Sequence, residues 1–254
     1  MTLPDQVESR ETIISGHRVH YLKTGNGPAV VLLHGAGGDS RDWPEFMANL
    51  ADRYTLYAPD IIGFGRSQRK KSGYYFPEFL DFLEEFVTAM NTAPCFLIGH
   101  SFGGRLALGL ALKRPDMVRS MVLVDTAGLG KISLSGVILT NFFNCMRALL
   151  RKPQPAPNVI IPDGEDPHLA CVEALPGLKA PVLLVWKRHD PYLPLANARR
   201  AVQLIPDARL KIFPGIGHAP HRRYHEEFKR LVTEFFQGNI QERGILPTTL
   251  EAVK

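Results

Sequence analysis

Apolar residues fall along the 254-residue chain in two alternating textures. Short uninterrupted runs, Ala29-Val30-Val31-Leu32-Leu33, Cys95-Phe96-Leu97-Ile98, Val118 to Asp125 and Ala180 to Trp186, predict strands covered on both faces. Between them, apolar residues recur every three or four positions. Phe76, Phe79, Leu80, Leu83, Phe86, Val87 and Met90 predict one helix face, with Asp81, Glu84, Glu85 and Thr88 on the other. Trp43, Phe46, Met47 and Leu50 predict a helix over Arg41 to Ala51, and similar spacing predicts helices over 102–113, Leu195 to Leu204 and Tyr224 to Phe236. Further strands are expected at Tyr54 to Ala58 and Arg209 to Phe213. Near the start, Thr12-Ile13-Ile14 and Arg18 to Leu22 flank Ser15-Gly16-His17 and read as an edge hairpin. Strands alternating with amphipathic helices imply an α/β chain: an open, parallel sheet with helices on both faces.

The rhythm breaks between Thr126 and Leu178. Leu134, Val137, Ile138, Phe142, Cys145, Met146 and Leu149 fit one broad helical face ending near Arg151, and the Pro153-Gln154-Pro155-Ala156-Pro157 run stops any helix. A second short helix is expected over His168 to Ala174. The segment reads as a lid lying over the sheet edge; the alternative is a core helix with a long loop. Charges confined to its ends, at Lys131, Arg147 and Arg151, tell against a membrane-surface helix. The expected organisation is a core of residues 1–126 and 179–238, a lid over 127–178 and a tail over 239–254 that shows no clear period.

Composition narrows the class. An apolar fraction of 45% with 22% charged residues suits a globular protein rather than a disordered or fibrous one. Three cysteines without paired spacing argue against a disulfide framework and for a reducing, cytoplasmic setting. The first residues lack a basic start followed by an apolar core, and no run reaches the ~18 apolar residues that span a bilayer, so neither a secretory signal nor integral membrane association is expected. The net charge of +5 comes from small clusters not interleaved with aromatics, which reads as solvated surface rather than a nucleic-acid groove.

Gly99-His100-Ser101-Phe102-Gly103-Gly104 sits between a predicted strand and a predicted helix. Glycines two places before and after a serine allow the sharp turn that lifts its hydroxyl from the sheet, which singles out Ser101 as a nucleophile. A serine hydroxyl needs a base to take its proton and a carboxylate to orient that base. His218 and Asp190 follow later strands, in strand-to-helix loops on the same side of the sheet as Ser101, with Asp125 a rival acid at the end of its own strand. The N–H groups of Phe102, opening a helix, and Ala36, in the glycine-rich loop after Leu33, are placed to hold an oxyanion. His34 is expected to hold that loop, and His100 to be packed rather than catalytic. His221 and His225 lie four apart, but Arg222 stands where a zinc protease motif needs glutamate, so no metal is expected. Gly35, Gly37 and Gly38 lack the third glycine of a dinucleotide loop, and no cofactor is expected.

Together, His34-Gly35-Ala36-Gly37, Asp60-Ile61-Ile62-Gly63-Phe64-Gly65-Arg66-Ser67, the Ser101 turn, Asp190 with Pro191 and Pro194, and Gly217-His218 resemble the α/β-hydrolase superfamily over residues 11 to 236. The order serine, acid, histidine is that superfamily's own. The resemblance implies the α/β-hydrolase fold, an eight-stranded, mostly parallel sheet with a lid after the sixth strand. Two departures stand out. Lys187 occupies a position where relatives usually carry glycine, and Ala219 follows the histidine where hydrolases of ring-cleavage products often carry tryptophan. The expectation is a cofactor-independent serine esterase acting on a small-molecule ester, with Leu134, Ile138, Phe142 and Met146 forming an apolar wall of the acyl pocket. The alternatives are a carbon–carbon bond hydrolase and a weakly active ligand receptor.

Overall fold

Alternating burial along each central strand decides how the chain layers itself. In the computed structural model, which describes residues 3–160 and 171–241, Val31 and Leu33 pack into one apolar layer while Val30 and Leu32 pack into another on the opposite face. Successive side chains of a strand point to opposite faces, so a run that is apolar throughout requires cover on both.

The chain opens with β1 (Glu8–Ile14), β2 (His17–Thr24) and β3 (Ala29–Leu33), then α1 (Pro44–Ala48), β4 (Thr55–Pro59), β5 (Tyr74–Tyr75) and α2 (Phe76–Ala89). The centre is β6 (Cys95–His100), α3 (Phe102–Lys113) and β7 (Val118–Val124). After β7 come α4 (Leu134–Leu149) and β8 (Val159–Ile160), and the chain closes with β9 (Val182–His189), α5 (Leu195–Leu204), β10 (Ala208–Ile216), α6 (Pro220–Arg223) and α7 (His225–Gln241).

Eight strands form one sheet in the order β1-β2-β4-β3-β6-β7-β9-β10, and β5 pairs with β8 apart from it. β1 with β2 and β2 with β4 are antiparallel; the rest are parallel. One layer receives Phe79 and Phe86 of α2, Leu106 and Leu110 of α3 and Ala198 of α5. The other receives Phe46 of α1 with Phe228 and Val232 of α7. From β3 the chain steps to β4 on one side and returns to β6 on the other. The loops leaving β3 and β6 therefore diverge, opening a crevice beyond the strands' C-terminal ends.

Most elements match the expected periods, and the exceptions have physical causes. The helix expected over 41–51 is cut to Pro44–Ala48, because Pro44 starts a helix readily but cannot sit inside one. Residues 40–42 before it form a 3₁₀ turn capped by the Asp39 carboxylate, which accepts from the N–H of Arg41. Of the helix expected over His168 to Ala174, residues 171–174 form turns and the rest lies outside the described residues. Residues 239–241 of the expected tail belong to α7, and 242–254 lie outside the described residues.

Candidate active site

Ser101 occupies the turn between β6 and α3 with φ 50° and ψ −111°, a backbone conformation that costs a non-glycine residue about 1–3 kcal/mol. The turn survives because its surroundings hold it. Ser101 N–H donates to Val124 O at 2.9 Å, and Ser101 O accepts from Arg105 N at 3.2 Å and Ala127 N at 3.1 Å. A Cβ on Gly103 would lie 2.5 Å from Leu33 O, and one on Gly99 would lie 2.5 Å from the Gly104 Cα. Only glycines let β3, β6 and α3 meet this closely.

The loop after β3 crosses beside the nucleophile. A Cβ on Gly35 would come within 3.2 Å of the Ser101 Cβ, so Gly35 and Ala36 run against the serine. His34 braces this loop: its Nδ1 lies 2.8 Å from Gly35 O and its Nε2 accepts from Ile61 N at 3.0 Å. Burial pushes this imidazole down, keeping it neutral in its bracing role. Phe102 is the first residue of α3, and a helix's first N–H groups have no intrahelical acceptor.

Asp190 follows β9. Its Oδ1 accepts from Tyr192 N at 2.7 Å and Leu193 N at 3.1 Å, and its Oδ2 lies 2.6 Å from His218 Nδ1. The acid is fully enclosed, while the imidazole remains partly open. With Nδ1–H committed to Asp190, Nε2 of His218 carries the free lone pair. The two loops are also joined by Gly217 N to His189 O at 3.2 Å. The remaining link is open: among the described residues, Ser101 Oγ and the His218 ring form no hydrogen bond. Such links often tighten only when substrate binds.

The rival acid is close by but differently placed. Asp125, Asp190 and His218 offer ligand atoms all within 4.8 Å of one another. Asp125 Oδ1 accepts from Lys187 N at 2.9 Å, whereas its Oδ2 is buried without a partner. Burial, and then the charge of Asp190, pushes its carboxyl well up. Within this cluster the 2.6 Å approach of His218 Nδ1 to Asp190 Oδ2 is a hydrogen bond.

His100 is buried, its Nε2–H donating to His218 O at 2.5 Å, with the two ring centroids 4.9 Å apart. Burial, followed by the neighbouring His221 and His218, pushes its imidazole well down. His221 stacks on Trp43 at 4.8 Å, and burial, then Arg222, pushes it down to about 3. These neutral rings hold the base loop.

Two residues of this site carried no clear role in the sequence. The Lys187 side chain is buried, and its Nζ donates to Pro214 O at 2.6 Å and to Tyr224 O–H at 3.3 Å, tying β9 to the strand that leads to His218. The departure from glycine hinted at an altered loop but not at this clamp. Tyr192 sets its ring 5.1 Å from that of His218, and no pattern pointed to it.

The lid residues share one helix and are exposed. For Leu134, Ile138, Phe142 and Met146 the exposure is 77%, 59%, 56% and 36%. Among the described residues, α4 buries only Gly136.

Residues 28–163 match the family model described as alpha/beta hydrolase fold, and residues 160–245 match one described as TAP-like protein. The chain is 26% identical to a 2-hydroxy-6-oxo-6-phenylhexa-2,4-dienoate hydrolase of Burkholderia cepacia, over 90% of this chain and 94% of that one. Among solved structures, a meta-cleavage product hydrolase of Pseudomonas fluorescens is 25% identical, with a TM-score of 0.74 over 90% of this chain and 97% of that one. The fold is also shared with an esterase of a Rhodococcus species, at 24% identity and a TM-score of 0.72 over 90% of this chain and 98% of that one. The strained serine turn, the sheet order and a family match over more than half the chain agree, and the protein belongs to the alpha/beta hydrolase fold family.

Proposed function

We propose that the protein is a cofactor-independent serine hydrolase, a carboxylesterase that cleaves small or medium acyl esters through an acyl-enzyme. The observation that carries this reading is the Asp190–His218 pair at 2.6 Å on the same sheet edge as the strained Ser101 turn. Ser101 attacks the ester carbonyl while His218 Nε2 takes its proton; Asp190 orients the ring and stabilises the imidazolium. The N–H groups of Ala36 and Phe102 receive the negative charge on the former carbonyl oxygen, a contribution of about 3–4 kcal/mol per donor. His218 then protonates the departing alkoxide. Water, deprotonated by the same ring, releases the acid and restores Ser101.

The named relatives favour a second reading, hydrolysis of a carbon–carbon bond in a ring-cleavage product, using the same three side chains. Ala219 after His218 weighs against it, because it removes the aromatic ring that often follows the base in such enzymes.

A panel of nitrophenyl esters run beside a dienoate ring-cleavage product separates the two. Ester turnover that falls by about 10⁴-fold in Ser101→Ala supports the esterase. Turnover of the dienoate alone replaces it with the second reading, and stabilisation by either compound without product makes the fold a receptor.

A further inference from the structure

α4 is inverted relative to a helix that closes a core. Its one buried residue is Gly136, against Pro191 and Tyr192. Ser133 caps the helix and, like Ser135, donates its hydroxyl to Pro191 O, and at the far end Arg147 donates to Pro153 O at 2.6 Å. Leu139, Thr140, Phe143 and Arg147 follow Gly136 at helical spacing, so the side of α4 that carries its tethers is mixed in character. The opposite side carries Leu134, Ile138, Phe142, Cys145 and Leu149, again at spacings of three and four. Leu149 is 73% exposed, Ile138 59% and Phe142 56%. A surface helix ordinarily turns such a seam inward, and a helix of this length gains little stability from its own hydrogen bonds.

Charge says what the seam meets. α4 and its flanks carry Lys131, Arg147, Arg151 and Lys152, and the acidic residues of the same 127–178 segment, Asp163, Glu165, Asp166 and Glu173, all come later in the chain. Arg69 donates to Gln154 O and Pro155 O, each at 3.0 Å, which brings the Arg69-Lys70-Lys71 run to the same end of the helix. Arg151, Lys152 and Lys71 are exposed. Two copies packed seam to seam would bring like charges together, whereas an anionic surface would meet both the apolar seam and its basic flank. Charges at the helix ends alone count against a surface role only while the apolar residues between them are taken to face the core.

We propose that α4 docks the protein on a lipid surface bearing anionic headgroups, its Leu134-to-Leu149 seam sunk into the acyl boundary and Arg151, Lys152 and Lys71 at headgroup level. A 16-residue helix lying in the interface spans ~24 Å of it. The proposal does not depend on the esterase reading.

The test is flotation of the full chain with phosphatidylcholine vesicles made with and without phosphatidylglycerol. Cys145 is exposed while Cys95 and Cys171 are buried, so an environment-sensitive fluorophore can be placed on the seam. The expected result is flotation only with phosphatidylglycerol and a blue shift of the fluorophore. Leu149→Ser with Leu150→Ser, the latter an exposed leucine directly after α4, and separately Arg151→Glu with Lys152→Glu, should each lower the bound fraction by about tenfold or more. Thermal midpoints should stay within about 2 °C, since these side chains touch no core. The charge pair remains decisive if the serine pair fails to fold. The proposal is overturned by absent flotation, by equal flotation with both vesicle types, or by an unshifted fluorophore. A dimer that dissociates in the Leu149→Ser with Leu150→Ser variant would also overturn it, making the occupant a second copy.

Discussion

The Ser101 turn and α4 are built by opposite rules. Every residue of β6 is buried, and the turn after it is confined by backbone atoms from three elements. α4 is 16 residues long, yet it buries one glycine and is tied to the acid loop by hydrogen bonds at its N-terminal end. The first region can hold a strained residue because its neighbours leave it nowhere else to go. The second stores no such strain, and its apolar side is exposed among the described residues. The proposed catalytic placement and the proposed surface contact are thus separated: one belongs to the sheet edge, the other to an element tethered beside it.

The two regions still touch through the acid loop. Pro191 and Tyr192, which follow Asp190, also receive Ser133 and the start of α4. The contrast is sharpest at the acid itself. Asp190→Asn removes the acceptor that orients His218 and should lower ester kcat/KM by about 10⁴-fold, whereas Asp125→Asn should cost under about fivefold. The reverse order in steady-state kinetics would transfer the orienting role to Asp125.

A smaller effect separates packing in the two regions. Gly103→Ala drives a Cβ against Leu33 O and His34 O and should destabilise by ~3 kcal/mol, lowering the thermal midpoint by about 10 °C. Ile138→Ser on α4 should move it by less than about 2 °C. Equal shifts would mean that α4 is packed as tightly as the sheet.

The smallest effect is one of pH. Because Asp125 is pushed up by burial and then by Asp190, the unfolded chain loses this proton from about pH 4 upward while the folded chain keeps it. The unfolded state then binds fewer protons, so folded stability declines as pH rises toward the folded value. Asp125→Asn abolishes that decline, and its midpoint relative to wild type should climb between pH 4.5 and pH 8. A constant difference would show that the carboxyl ionises with little penalty. Asp60 supplies the opposite slope. Burial alone would push it up, but hydrogen bonds from His20, Ser40 and Arg66 outweigh that and hold it well below the usual carboxylate range. Its contribution is present at neutral pH and lost as pH falls below about 4.

Much of this was legible along the chain because the signals are local. The continuous run Ala29 to Leu33 can satisfy its apolar side chains only inside a sheet covered on both faces. Glycines at 99 and 103 mark a turn no other residue tolerates, and a histidine and an aspartate after later strands must fall at the same edge once the sheet is parallel. Those facts set the fold class and the sheet edge and put Asp190 forward beside His218, with Asp125 still a rival, before any contact is seen. What the tertiary structure alone decided are matters of facing and distance. Lys187 reads in sequence as a charge out of place and becomes a clamp only when β9 and β10 lie side by side. Leu134, Ile138, Phe142 and Met146 have the spacing of a buried wall, and periodicity specifies which side chains share a side of a helix without specifying where that side points. That direction is set by Gly136 and Ser133 seating on a loop more than fifty residues away, a contact that exists only once the chain has folded.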